Sequence, residues 1–169
     1  MEPQITLKRY EEKFKDSLLS FQLPDVQAQF TGLPEETLDD ALLDPNKCAV
    51  VIALGDTAVG FFILHTGISI RNYYNNYSTA VLLRAFLVDH ASQGKGYAGR
   101  AMALLPAFVR SNFPAVNEVV LLVNERNGPA DRLYTRSGFV DCGLRRVGAK
   151  GTQKILTLAL DSSYHLQQP

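Results

Sequence analysis

The chain has 169 residues, 46% hydrophobic and 20% charged, the composition of one soluble globular domain spanning 1–169. Seventeen basic residues balance seventeen acidic ones, so bulk charge offers no attraction to nucleic acid or to an anionic membrane. No apolar run approaches the roughly 20 residues that span a bilayer, and Met1-Glu2-Pro3-Gln4 does not open a signal peptide, so a cytoplasmic protein is expected.

Ile5-Thr6-Leu7 reads as a short first strand. Tyr10, Phe14, Leu18 and Phe21, spaced by four, four and three, form a helical stripe that Pro24 interrupts. A second helix is predicted from about Glu35 to Leu42, opened by Pro34 and closed before Pro45. Cys48 to Leu54 and Ala58 to Leu64 are apolar, branched runs around a Gly55-Asp56 turn. So short a connection makes them an antiparallel hairpin. Ser69 to Ser78 is polar and aromatic and reads as a loop, and Thr79 to Val88 as a third strand.

Asp89 to Lys95 then form a loop, and Gly96 to Phe113 carry a helical pattern through Ala98, Met102, Leu105, Phe108 and Val109. Pro106 inside that helix should bend it or cost about 3 kcal/mol. Glu118 to Val123 is a buried strand, and Ala130 to Arg136 a short helix ended by Gly138. Val140 to Val147 and Ile155 to Leu160 close the chain as strands. Cys48 and Cys142 have neither metal-ligand nor disulfide spacing and are expected as buried, reduced thiols; no metal is expected. The strand-helix-strand unit in the middle must be a parallel crossover, which makes the fold α/β (α+β) with a mixed sheet.

The segment that carries chemistry is Leu87-Val-Asp-His-Ala-Ser-Gln-Gly-Lys-Gly-Tyr-Ala98, a buried strand running into a glycine-containing loop that opens a helix. Such a loop gathers backbone N–H groups at the positive end of a helix dipole, a setting suited to phosphate. Glycine allows the phosphate oxygens close approach, and Lys95 can add charge. Gly94-Lys-Gly-Tyr-Ala-Gly99 also matches the dinucleotide fingerprint G-x-G-x-x-G. That fingerprint belongs to the first strand of an open parallel sheet with an acid closing the next strand. Here several strands come first, and Glu118 begins a strand. A glycine-rich helix start without a ligand is the plain alternative.

Gln93, Gly96 and Ala98, followed by Asn127, Ala130, Leu133, Tyr134, Gly138 and Phe139, resemble the two motifs of the GNAT superfamily of acetyl-CoA-dependent N-acetyltransferases. The resemblance covers roughly residues 48 to 160 in element order. It implies a twisted, mostly antiparallel sheet of six to seven strands with helices on both faces, and acetyl-CoA as co-substrate. It also implies that the coenzyme pyrophosphate meets the loop Gln93, Gly94, Lys95, Gly96, Tyr97 and Ala98. The pantetheine arm would pair with the strand at Phe86, Leu87 and Val88 and touch Asn127. Tyr134 would be the general acid at the sulfur.

The acceptor implied is an amine, of a small molecule such as a polyamine or of a peptide, and a homodimer is one assembly that the resemblance suggests. Acids at Glu35, Glu36, Asp39, Asp40 and Asp44 and aromatics at Tyr73, Tyr74 and Tyr77 would suit a cationic acceptor. The first acids also suit a helix start. His65, Asp89 and His90 are the candidates for the general base, which stays unassigned; His65 is expected at a strand edge or surface. A non-catalytic acyl-CoA-binding module of the same fold is the alternative.

Overall fold

The computed structural model describes residues 2–160. Its seven strands are β1 (Ile5–Arg9), β2 (Lys47–Leu54), β3 (Thr57–His65), β4 (Ala80–Val88), β5 (Glu118–Asn124), β6 (Val140–Gly148) and β7 (Gly151–Ala159). They form one sheet in the order β1-β2-β3-β4-β5-β7-β6. The helices are α1 (Lys15–Leu19), α2 (Asp25–Ala28), α3 (Pro34–Leu43), α4 (Tyr97–Asn112) and α5 (Gly128–Arg136). The chain divides into two compact units. One joins the segment ending at His65 to Leu83–Leu104, and the other joins Thr66–Leu82 to the segment beginning at Leu105.

In the first unit β1, β2 and β3 pair antiparallel, with Gly55 at φ 62° in the hairpin turn. Val50, Val51, Ile52, Phe61, Phe62 and Leu64 are all fully buried, as expected for branched and aromatic runs. Each such side chain contributes roughly 1.5–3 kcal/mol on burial. Phe14, Leu18, Phe21, Leu38 and Ala41 pack with Val51, Phe61 and Leu87 in one apolar cluster. The stripe from Tyr10 to Phe21 therefore faces the core, but not as one helix. Tyr10 N–H still pairs with Ala49 O at 2.9 Å, holding the backbone extended, so helical turns begin only at Glu12. Pro24 is the N-cap of α2 instead of merely interrupting, and its carbonyl accepts from Gln27 N–H and Ala28 N–H, both at 2.9 Å.

In the second unit β4 and β5 are parallel over Ala80–Leu82, as the crossover requires, while β5, β7 and β6 pair antiparallel. Ile70, Ala80, Leu82, Val120 and Ile155 form its apolar cluster, with Tyr73, Tyr74 and Tyr77 packed against it. The stretch expected as a loop before β4 contains two short 3-10 turns, Ile68–Asn72 and Tyr77–Thr79. Strand β7 starts four residues before the expected Ile155, since Gly151–Lys154 pairs with β6 despite its polarity. Helix α4 runs through Pro106 without interruption. Cys142 is exposed rather than buried: it lies where β6 bulges between Asp141 and Arg145, a common device at a sheet edge. Cys48 is half-buried, with its thiol pKa raised by burial.

His65 is 4% exposed, which corrects the surface reading of it. Its Nδ1 lies 3.1 Å from Arg84 Nη1. Arginine is always a donor, so Nδ1 must carry the lone pair and Nε2 the proton. Burial first, then the Arg84 and Lys47 charges, push the His65 pKa below 6.5.

Two outcomes follow from this packing. A Cβ at Gly60 would stand 2.8 Å from Leu87 O and 2.8 Å from Ile52 Cδ1. Gly60→Ala should therefore destabilise the protein by about 1–3 kcal/mol in urea unfolding; wild-type stability would mean that β4 is not held this close to β3. The unfolded state binds a proton on His65 below pH 6.5 and the folded state resists it, so stability should fall as pH drops through that value. Its slope should be at most about 1.4 kcal/mol per pH unit. His65→Asn should flatten that part of the stability–pH curve.

Candidate active site

The loop after β4 is built by local bonds. Asp89 N–H donates to Val59 O at 2.9 Å, Ser92 N–H to Asp89 O at 2.8 Å and Gln93 N–H to His90 O at 3.2 Å. These close a 3-10 turn at His90–Ser92. Asp89 Oδ1 accepts from Gln22 N–H at 2.8 Å, and His90 N–H donates to Gln22 O at 3.0 Å. Asp89 is thus a structural acceptor.

Beyond Gln93 the pattern changes. Gly94 and Gly96 take φ of 79° and 81°, in the left-handed region that glycine occupies without steric cost. The first α4 bond is Arg100 N–H to Gly96 O at 3.2 Å. Among the described residues, no protein acceptor is found for the amides of Gly94, Lys95, Gly96, Tyr97, Ala98 and Gly99. A Cβ built on Gly94, Gly96 or Gly99 would meet no atom within 4 Å. The result is a row of unpaired N–H groups at the N-terminus of a 16-residue helix, with open space in front of its glycines. Lys95 is exposed beside them, and the Arg100 guanidinium stands 5.9 Å from the Tyr97 ring.

Gln93 plays a different part from its neighbours. Its own amide is taken, and its side-chain Nε2 donates to Val88 O at 2.9 Å. It closes the loop rather than lining it.

The strand leading in is unusual at one point that no sequence signal marks. Ala85 has φ 54°, a left-handed conformation that costs a non-glycine residue roughly 1–2 kcal/mol. It lies inside β4, just before Phe86, Leu87 and Val88. Phe86 stacks on Phe62 with ring centroids 5.8 Å apart, and Leu87 and Val88 are buried. The parallel register with β5 runs over Ala80, Val81 and Leu82 and ends before this segment.

The second unit holds Asn127 and Tyr134 on α5. Asn127 is its N-cap: Oδ1 accepts from Ala130 N–H at 3.4 Å, and its own N–H donates to Asn124 O at 2.9 Å. Tyr134 is 9% exposed and meets Phe139 edge-on at 5.8 Å. Burial raises the pKa of its phenol above the ordinary value, so it holds its proton throughout the neutral range. Gly138, at φ 103°, ends the helix and lets Phe139 N–H return to Tyr134 O at 3.1 Å.

The groups expected to favour a cationic acceptor are largely occupied. Arg146 already stands 4.6 Å over the Tyr73 ring. Tyr74 Oη donates to Glu118 Oε1 at 2.6 Å, and burial with that bond pushes its pKa up to about 12. Glu36 accepts from Leu33 N–H, Asp40 pairs with Lys47 and Asp44 accepts from Asn46 N–H. Among the base candidates, His65 offers no acceptor nitrogen while Arg84 holds Nδ1.

Comparison with known proteins shows the family of the chain. The sequence model of the Acetyltransferase (GNAT) family matches residues 14–139. An uncharacterised N-acetyltransferase, YbbJ, of Bacillus subtilis (strain 168) is 43% identical over 156 residues, 92% of this chain and 98% of that protein. In structure the chain is similar to aminoglycoside acetyltransferase AAC(6')-Ib in complex with coenzyme A. The TM-score there is 0.73 at 15% identity, covering 98% of this chain and 100% of that one. It is also similar to spermidine/spermine N-acetyltransferase SpeG from Vibrio cholerae, with a TM-score of 0.65 at 17% identity and 98% of each chain covered. Both structural likenesses concern the fold. With the family model matching most of the chain, and a relative of this identity along nearly its whole length, the protein belongs to the GNAT acetyltransferase family and is an acyltransferase.

Proposed function

We propose that the chain, as one functional domain over 1–169, transfers the acetyl group of acetyl-CoA to a primary amine by direct attack. The observation that carries this reading is the row of unpaired amides from Gly94 to Gly99 with open space before it. An anionic diphosphate satisfies those donors together and gains from the helix dipole and from Lys95. Two independent supports are the family match and the protonated phenol of Tyr134. The names of the similar proteins, acting on aminoglycosides and on spermidine, agree with an amine acceptor.

In this reading the pantetheine arm runs along Phe86, Leu87 and Val88, beyond the residues of β4 that β5 engages. Asn127 contacts it through Nδ2, the amide group not used in capping α5. The lone pair of the neutral amine attacks the thioester carbonyl carbon, a C–N bond forms and the C–S bond breaks. A backbone N–H near Val88 stabilises the negative charge on the carbonyl oxygen. Tyr134 gives its proton to the leaving thiolate, the attacking nitrogen loses its proton to solvent, and solvent returns one to the Tyr134 phenolate. Free CoA thiol and an N-acetyl amide result, in a reducing, cytoplasmic setting that suits the two unbridged cysteines.

Thiol release across a panel of amines tests the reaction and separates it from passive acyl-CoA binding, which would release none. Gly96→Asp should abolish acetyl-CoA binding in calorimetry, because it places a carboxylate and a strained Cβ at a φ of 81° against phosphate. Retained affinity would show that the loop is not the site. Tyr134→Phe should lower kcat by about 100-fold with the coenzyme Kd little changed, the loss expected for a general acid. Unchanged turnover between pH 6 and 9 would remove Tyr134 from the reaction.

A further inference from the structure

The side chain that closes the coenzyme loop has a partner far away in sequence. Gln93 Nε2 donates to Gln27 Oε1 at 2.8 Å, and Gln27 Nε2 donates back to Gln93 Oε1 at 3.2 Å. With its second Nε2 proton on Val88 O, Gln93 has both donors and its acceptor engaged. Gln27 sits on α2, a four-residue helix, and the chain just before it meets the same loop a second time. There Gln22 N–H is bound by Asp89 Oδ1 and Gln22 O by His90 N–H. Two separate contacts, 66 and 67 residues apart in sequence, thus tie the segment Gln22–Gln27 to the turn Asp89–Gln93.

We propose that Gln27 is a positioning residue for acetyl-CoA, acting through Gln93 to hold the amides of Gly94–Gly99 in their phosphate-binding arrangement. The inference rests on the reading of that loop as the coenzyme site. Its physical basis is the point of attachment. Gln93 immediately precedes the first left-handed glycine, so its side chain fixes where the glycine turn begins. A planar amide pair resists rotation better than one bond. Without Gln27, the Gln93 side chain keeps only its bond to Val88 O and gains a competing partner in water. The loop then samples arrangements in which its N–H groups diverge, and the coenzyme must reorder them on binding.

The test uses the full chain, with acetyl-CoA as ligand in calorimetry and in steady-state kinetics. Gln27→Ala is expected to raise the Kd and KM for acetyl-CoA about fivefold, the worth of one ordinary hydrogen bond. Its kcat at saturating coenzyme should stay near the wild-type value. Gln29→Ala serves as control, since Gln29 Nε2 donates to Val26 O within the same segment and not to the loop; it should leave the Kd unchanged. Gln27→Ala combined with Gln93→Ala should bind no more weakly than Gln93→Ala alone. Gln27→Glu with Gln93→Arg, which replaces the amide pair by an ion pair, should recover most of the affinity lost in Gln27→Glu. A Gln27→Ala variant that melts earlier yet binds acetyl-CoA as wild type would overturn the inference and leave the coenzyme site standing. Absence of binding by the wild-type protein would instead overturn the site itself.

Discussion

Backbone N–H groups need acceptors, and a fold that leaves several of them unpaired in one place offers them to an anion. The segment Gly94–Gly99 is that place here. The preceding 3-10 turn ends at Gln93, whose backbone is extended; Gly94 and Gly96 are left-handed, and the first helical bond forms only at Arg100. Everything before the segment serves to fix it. Val59 O holds Asp89, His90 O holds Gln93, and the Gln93 side chain returns to Val88 O. Gly60 contributes by having no Cβ, which lets Leu87 O approach β3.

The second unit supplies residues of a different character. Asn127 and Gly138 bracket α5 as N-cap and terminator, so the position of Tyr134 on the helix is set from both ends. Burial keeps that phenol protonated through the neutral range, because desolvation disfavours the phenolate. His65 shows the same physics with the opposite result. Buried beside Arg84, it is held neutral with Nε2 protonated, and is withdrawn from acid–base work.

The sequence makes some of this legible and hides the rest for identifiable reasons. Strands β2, β3, β4 and β5 announce themselves as branched apolar runs because they are buried, and the crossover between β4 and β5 follows from connectivity alone. Polarity conceals the start of β7 at Gly151–Lys154, and the extended pairing of Tyr10 breaks a helical stripe whose periodicity is otherwise right. Glycines mark the loop of unpaired amides proposed for the diphosphate, and Asn127 and Tyr134 enter the proposal through motif spacing. Nothing local marks Ala85, whose positive φ lacks a glycine signature, or the pairing of Gln93 with a side chain 66 residues earlier. Grouping Gln93 with the residues proposed to meet the phosphate is the natural reading of a motif; its amide is bound to His90 O and its side chain to Val88 O and Gln27.

The central claim is that the amides from Gly94 to Gly99 receive the coenzyme diphosphate. Its most direct measurement is a nitrogen-15 NMR titration of the labelled protein with coenzyme A and, separately, with pantetheine, which lacks the diphosphate. The amide resonances of Gly94, Gly96 and Tyr97 should shift strongly with coenzyme A and stay in place with pantetheine. If they remain unmoved while coenzyme A saturates the protein, the diphosphate binds elsewhere and the account of this loop is wrong.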